Sequence, residues 1–111
     1  MMGINVATDG DLIYSDLIVT GQKMYETRDS NSLAPYVGQR VGIIETKRGS
    51  KARLVGFVDI GAPMVVGSVG FDALSRCHLV PEFSKYDIKK GQEKWLYPMI
   101  NPSKLTESID A

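Results

Sequence analysis

Between Gly21 and Arg28 the chain reads Gly-Gln-Lys-Met-Tyr-Glu-Thr-Arg. A cation at Lys23, a carboxylate at Glu26 and a guanidinium at Arg28 fall within one short stretch. If that stretch is extended, residues two apart project from the same face, so Glu26 and Arg28 stand side by side. They can pair with each other or present both signs to a ligand. A carboxylate accepts from the exocyclic amine of cytosine, and a guanidinium holds a phosphate through two parallel N–H donors. Lys23 and Glu26 also have the chemistry for proton transfer in a hydrolysis. The competing reading is an ion pair between Glu26 and Arg28 that fixes one strand against its neighbours.

Other residues offer weaker chemistry. Lys47, Arg48, Lys51 and Arg53 form a run with no acid inside it. On a hairpin tip such a run tracks a nucleic-acid backbone or shields a sheet edge with charge. Trp95 and Tyr97 alternate and so share a strand face, where they either stack on bases or fill the core. Tyr25 and Tyr36 face the same choice, and Lys89, Lys90 and Lys94 add positive charge nearby. Arg76, Cys77 and His78 are consecutive, but neighbours in sequence diverge on a helix, so Cys77 and His78 do not make a nucleophile and base. His78 suits a helix C-terminus, where the dipole favours a cation, or a cleft wall. Asp59 is a candidate cleft carboxylate if it points inward.

The chain has 111 residues, which fits one domain with a single core. Its 13 basic and 13 acidic residues cancel, so any affinity for nucleic acid must rest on local clustering. A lone cysteine forms no internal disulfide and suits a reducing, cytoplasmic setting. With one histidine and one cysteine, a structural zinc site is not expected. Nothing calls for another metal or a cofactor. The N-terminus lacks the basic start and apolar run of a signal peptide. The stretch VDIGAPMVVGSVGF is too short, and too broken by Gly and Pro, to span a bilayer.

These residues must be positioned by a small set of elements. DLIYSDLIVTG, residues 11–21, has helical spacing in Leu12, Ile13, Leu17 and Ile18. Thr8 and Asp11 resemble a capping box before it, and Gly21 stands where a left-handed C-cap belongs. KMYETR reads as a strand with Met24, Glu26 and Arg28 on one face and Lys23, Tyr25 and Thr27 on the other. RVGIIET and ARLVGFVDIG form a hairpin about a turn at Gly49-Ser50. GAPMVVGSVG is irregular, with room for a short strand at Met64–Val66. FDALSRCHLV suggests a short helix. EKWLYPMIN is a last strand whose Pro98 suggests an edge or a bulge. The sum is an α+β domain on a small, curled, mostly antiparallel sheet with two or three short helices. Residues 1–8 read as an N-terminal extension, 9–105 as the domain and 106–111 as a weakly docked tail.

The order Gly-x-Lys-x-x-Glu-x-Arg after a short helix resembles the signature of the ASCH domain, one of the PUA-like small β-barrels. VGQRVGIIET (37–46), LVGFVDIG (54–61) and EKWLYPMINPSKL (93–105) are similar to the family's following strands, in the right order. The resemblance implies a barrel with a cleft beside the motif, where RNA or nucleotides are bound. Within the family, one branch removes the acyl group from N-acetylated cytidine, and other members are ribonucleases. The amidohydrolase branch uses a Lys-x-x-Thr pair. Here the lysine is Lys23, but the threonine position holds Glu26, so that pair is incomplete.

Three functions follow as expectations. The first is an RNA- or nucleotide-binding module, with Lys23, Tyr25, Glu26 and Arg28 in the cleft and the 47–53 hairpin, Trp95 and Tyr97 extending the footprint. The second is a hydrolase of a modified nucleoside or of RNA, with Lys23 and Glu26 as catalytic groups. The third is a small protein–protein interaction module.

Overall fold

A computed structural model describes residues 2–111. Its elements, in chain order, are β1 (Gly3–Ala7), α1 (Tyr14–Val19), β2 (Tyr25–Arg28), a single 3-10 turn (Ala34–Tyr36), β3 (Arg40–Thr46), β4 (Arg53–Ile60), β5 (Met64–Val66), α2 (Ser68–Ala73), α3 (Ser75–His78) and β6 (Lys94–Asp110). One sheet runs β1-β3-β4-β6-β2, with β5 also on β6. Among the described residues only the β1–β3 pair is parallel.

The sheet curls around an apolar interior. Ile4 and Val6 of β1, Val41 and Ile43 of β3, Val58 and Ile60 of β4, and Tyr97 and Met99 of β6 are all buried there. Helix α1 closes the interior with Ile18 and Val19. Full burial of each such side chain stabilises the fold by roughly 1.5–3 kcal/mol. A second, smaller cluster of Phe71, Val80 and Leu96 lies under α2 and α3. The curl brings the two ends of the sheet, β1 and β2, toward each other: Arg28 Nη2 of β2 donates to Asn5 O of β1 at 2.8 Å.

Two glycines allow this geometry. Gly21 takes φ +84° and donates its N–H to Ile18 O, ending α1 as the sequence suggests. Gly56 lets α1 and β6 approach β4. A Cβ there would meet the Ser103 carbonyl and come within 2.6 Å of Val19 Cγ1.

Several boundaries differ from the sequence reading. Residues 3–7, expected outside the domain, are strand β1 and supply core residues Ile4 and Val6. Helix α1 is shorter than 11–21, because Asp9 and Leu12 exchange backbone hydrogen bonds in a tight turn. The helix then starts after Ile13, with no side-chain cap, so the Thr8–Asp11 capping box does not form. The β3–β4 turn closes from Lys47 O to Ser50 N, centred on Arg48-Gly49 rather than Gly49-Ser50. The expected single helix is two, α2 and α3. The last strand runs on through residues 106–110, where Leu54 pairs with Ile109 and Arg53 with Asp110. Pro98 is neither on an edge strand nor opposite an extra residue. It lies where β6 exchanges one partner, β5, for another, β4, and its carbonyl accepts from Gly61 N–H there. A missing N–H is tolerated at that gap. Among the described residues no helix is long and apolar enough to cross a membrane.

Candidate functional site

The two ends of the curled sheet do not join. β1 pairs only with β3 and β2 only with β6, and no backbone hydrogen bond links β1 to β2 among the described residues. The seam between them is a cleft of about 190 Å³. One wall is Asn5–Ala7 of β1, and the other is Glu26–Arg28 of β2 with Asp29 after it. Tyr14 and Lys23, both buried, form the floor, and Val80, Tyr86 and Lys94 complete the site.

Lys23 stands in the link between α1 and β2. Its backbone N–H donates to Leu17 O at 2.8 Å, tying it to the helix end. The strand alternation read from sequence does not reach this residue, because β2 begins only at Tyr25. Lys23 therefore shares the cleft with Glu26 instead of facing away from it. Its side chain is 1% exposed. Its Nζ donates to His78 O and lies 4.9 Å above the Tyr14 ring. Burial pushes the ammonium pKa down to about 8, and the Glu26 carboxylate pulls it part of the way back. Lys23 is thus a cation close to titrating at physiological pH, and it forms no ion pair with Glu26.

Glu26 lies opposite Tyr97 in the β2–β6 register and so points inward. Its Oε2 accepts from Arg28 Nη2 at 2.9 Å and Nε at 3.2 Å. Its Oε1 accepts no hydrogen bond among the described residues, and Arg28 Nη1 donates none. The pair expected from spacing is therefore real, yet it leaves one acceptor and one donor nitrogen uncommitted at the cleft.

The surrounding groups sharpen this picture. The Tyr14 hydroxyl is buried and has no partner among the described residues. Burial first, then the charge of Asp9, Tyr86 and Glu26, raises its pKa to about 12, so it stays a neutral hydroxyl. Its ring meets Tyr86 edge-on at 5.9 Å. At the rim, Lys94 pairs with Asp29, and the hydrogen bond from Lys94 holds the Asp29 carboxyl below the usual range. His78 is buried behind Lys23. Its Nδ1 accepts from Val80 N–H at 2.9 Å, which places the ring proton on Nε2, donated to Phe71 O at 2.7 Å. Burial depresses its pKa, so His78 is a neutral structural group that aims its own carbonyl at Lys23.

The structure gathers some of the expected residues and disperses others. Lys23, Glu26 and Arg28 meet in the cleft. Tyr25 packs against the second cluster. Trp95 is half-buried against the main core and Tyr97 is fully enclosed, so this pair forms no stacking platform. Tyr36 also packs on the core. Lys47, Arg48 and Lys51 are exposed and do not line the cleft. Their hairpin begins just past Thr46, which pairs with Ala7 of the cleft wall. Arg53 is occupied by Ser108 and Asp110. Lys89 and Lys90 are exposed, while Lys94 alone of that group reaches the cleft. Asp59 lies outside the cleft, held by Arg40 and Asn101. Cys77 serves through its carbonyl, which accepts Met24 N–H. Sequence reasoning missed Tyr14, Tyr86, Asp29 and the β1 wall. For Tyr14 a signal existed: it is four residues before Ile18, on the helix face that is buried.

No family model matches the sequence, and no curated protein sequence matches it. Solved structures do. The ASCH protein from Zymomonas mobilis matches with a TM-score of 0.71 over 96% of this chain and 71% of that one, at 20% identity. Two single-residue variants of that protein match with TM-scores of 0.72 and 0.73 at 21% and 18% identity, again over 96% of this chain. The chain has the ASCH fold.

Proposed function

We propose that this ASCH-fold module binds RNA or a nucleotide, with one base or nucleoside in the seam cleft. The observation that carries this reading is the half-committed Glu26–Arg28 pair. The two residues lock each other in place yet keep Oε1 and Nη1 available, facing a floor made by Lys23 and Tyr14. The cleft volume of about 190 Å³ suits a small planar ligand. It is below the roughly 300–1,000 Å³ of sites for drug-sized ligands. The exposed hairpin cations Lys47, Arg48 and Lys51 stand beyond the same end of β1 and would lengthen the footprint on a strand.

Titration calorimetry at low salt with cytidine, acylated cytidine and a short single-stranded RNA tests this. Glu26→Ala or Arg28→Ala removes a charged hydrogen-bonding group, so each is expected to weaken binding roughly 10- to 100-fold. Unchanged affinity in both variants overturns the reading. Capture of a protein partner with no nucleic acid retained would instead favour an interaction module.

One observation favours a hydrolase as the second reading. The pKa of Lys23, lowered to about 8, is close to that of an effective acid–base group. With Lys23 as base, turnover of acylated cytidine or RNA rises as pH passes through about 8 and is lost in a folded Lys23→Ala variant. Absence of turnover on both substrates excludes it.

A further inference from the structure

The wall that β1 contributes to the cleft is backbone. Met2 O accepts from Gly42 N–H at 2.8 Å, and Thr8 N–H donates to Thr46 O at 3.0 Å. The even-numbered residues of β1 thus turn their peptide groups toward β3, and Gly3, Asn5 and Ala7 turn theirs away. The seam lies on that outer side. The Asn5 carbonyl is taken by Arg28. β1 pairs with β3 alone, so the Asn5 N–H and both the N–H and C=O of Ala7 point away from the ladder, and no side chain among the described residues bonds them. Their side chains are exposed, and Ala7 is small enough to leave its peptide edge open. Native edges are usually paired, covered or guarded by charge. This one borders a concave site.

We infer that the outer edge of β1 reads a nucleobase: the N–H and C=O of Ala7 pair with the donor and acceptor edge of one unpaired base, held from the other side by Glu26 and Arg28. This rests on the binding function proposed above and adds what is recognised. The alternative occupant, an extended peptide added to β1, fits poorly. A strand needs a run of outward groups at roughly 3.3 Å per residue. Only Asn5 and Ala7 offer such groups at the cleft, one carbonyl is already committed, and Tyr86 bounds the space. A phosphodiester has no proton to donate to the Ala7 carbonyl, whereas a base edge supplies both partners. That edge is the Watson–Crick edge, which base pairing occupies, so duplex RNA is excluded.

The test replaces the Val6–Ala7 amide by an ester, which removes the Ala7 N–H and adds no bulk. Ala7→Pro is the encoded counterpart, tolerable because an outward N–H on an edge strand is outside the ladder. Each protein is titrated with a short single strand, an abasic strand of the same length and the duplex. The unaltered protein is expected to prefer the base-bearing strand over both others. The ester should weaken binding of that strand roughly three- to tenfold, with abasic binding unchanged and the melting temperature lowered only slightly, because the Val6 carbonyl becomes a weaker acceptor in its ladder to β3. The same change at Val6, whose N–H is in the ladder, should lower the melting temperature. If the ester protein keeps its full preference, or duplex binds as well as single strand, base reading by β1 is overturned while the binding function stands. If the unaltered protein binds no RNA or nucleotide, both are overturned.

Discussion

Lys23 is held in the fold against its own solvation. Its pKa falls from 10.5 to about 8, so between those values the unfolded chain holds a proton that the folded chain has released. Stability therefore rises with pH across that window, by on the order of 3 kcal/mol in total. Below pH 8 the full penalty of the buried charge is present. In Lys23→Met this rise should vanish, so denaturant melts of the two proteins at pH 7, 8.5 and 10 should converge or cross as pH increases. Tyr14 works in the opposite sense above pH 10, where its raised pKa makes stability fall, which sets the upper limit of the comparison. A parallel pH dependence in the two proteins would show that Lys23 is not desolvated. At this scale the motif was legible in part: Glu26 and Arg28 pair, one of the two arrangements that a two-residue spacing on a strand allows. Lys23 was expected in the cleft from the family pattern, but alternation put it on the wrong strand face, because that depends on where β2 starts. Tyr97 shows the same limit, since alternation gave its face but not whether that face was core or groove.

The elements were legible where a pattern was local. β3, β4 and β5 lie close to where β-branched runs and turn residues put them, and Gly21 ends α1. They were illegible where a distant partner decided. β1 is short and carries Gly3 and Asn5, so it forms a strand only because β3 supplies its ladder. The end of β6 is polar and is held by β4 through Arg53 and its partners Ser108 and Asp110. The tight approach of α1 and β6 at Gly56 is likewise a product of topology. Gly56→Ala forces a methyl against the Ser103 carbonyl and Val19, and should destabilise the protein by about 3 kcal/mol. Gly67→Ala, with open space around its added Cβ, is the control and should melt near the wild-type temperature. Equal melting of the two variants would contradict the close packing of helix on sheet.

At the scale of the whole molecule, basic and acidic residues balance, so binding is expected to rely on a few placed cations rather than a broad field. For single-stranded RNA the slope of log affinity against log salt is about −0.7 per phosphate neutralised. A slope of roughly −1.4 to −2.1 is expected if the hairpin cations Lys47, Arg48 and Lys51 neutralise two or three phosphates, falling toward zero when all three are changed to Ala, because Arg28 stays paired with Glu26. A slope that does not move would remove the hairpin from the footprint. The curled sheet that remains open between β1 and β2 is the feature on which every functional step here depends. The most direct measurement is therefore amide chemical-shift mapping of the labelled protein titrated with a short single-stranded RNA. Shifts centred on Asn5, Ala7, Glu26, Thr27 and Arg28, with weaker ones in the 47–53 hairpin, are the predicted result. Shifts confined to the hairpin, or none along the seam, would contradict a ligand cleft between β1 and β2.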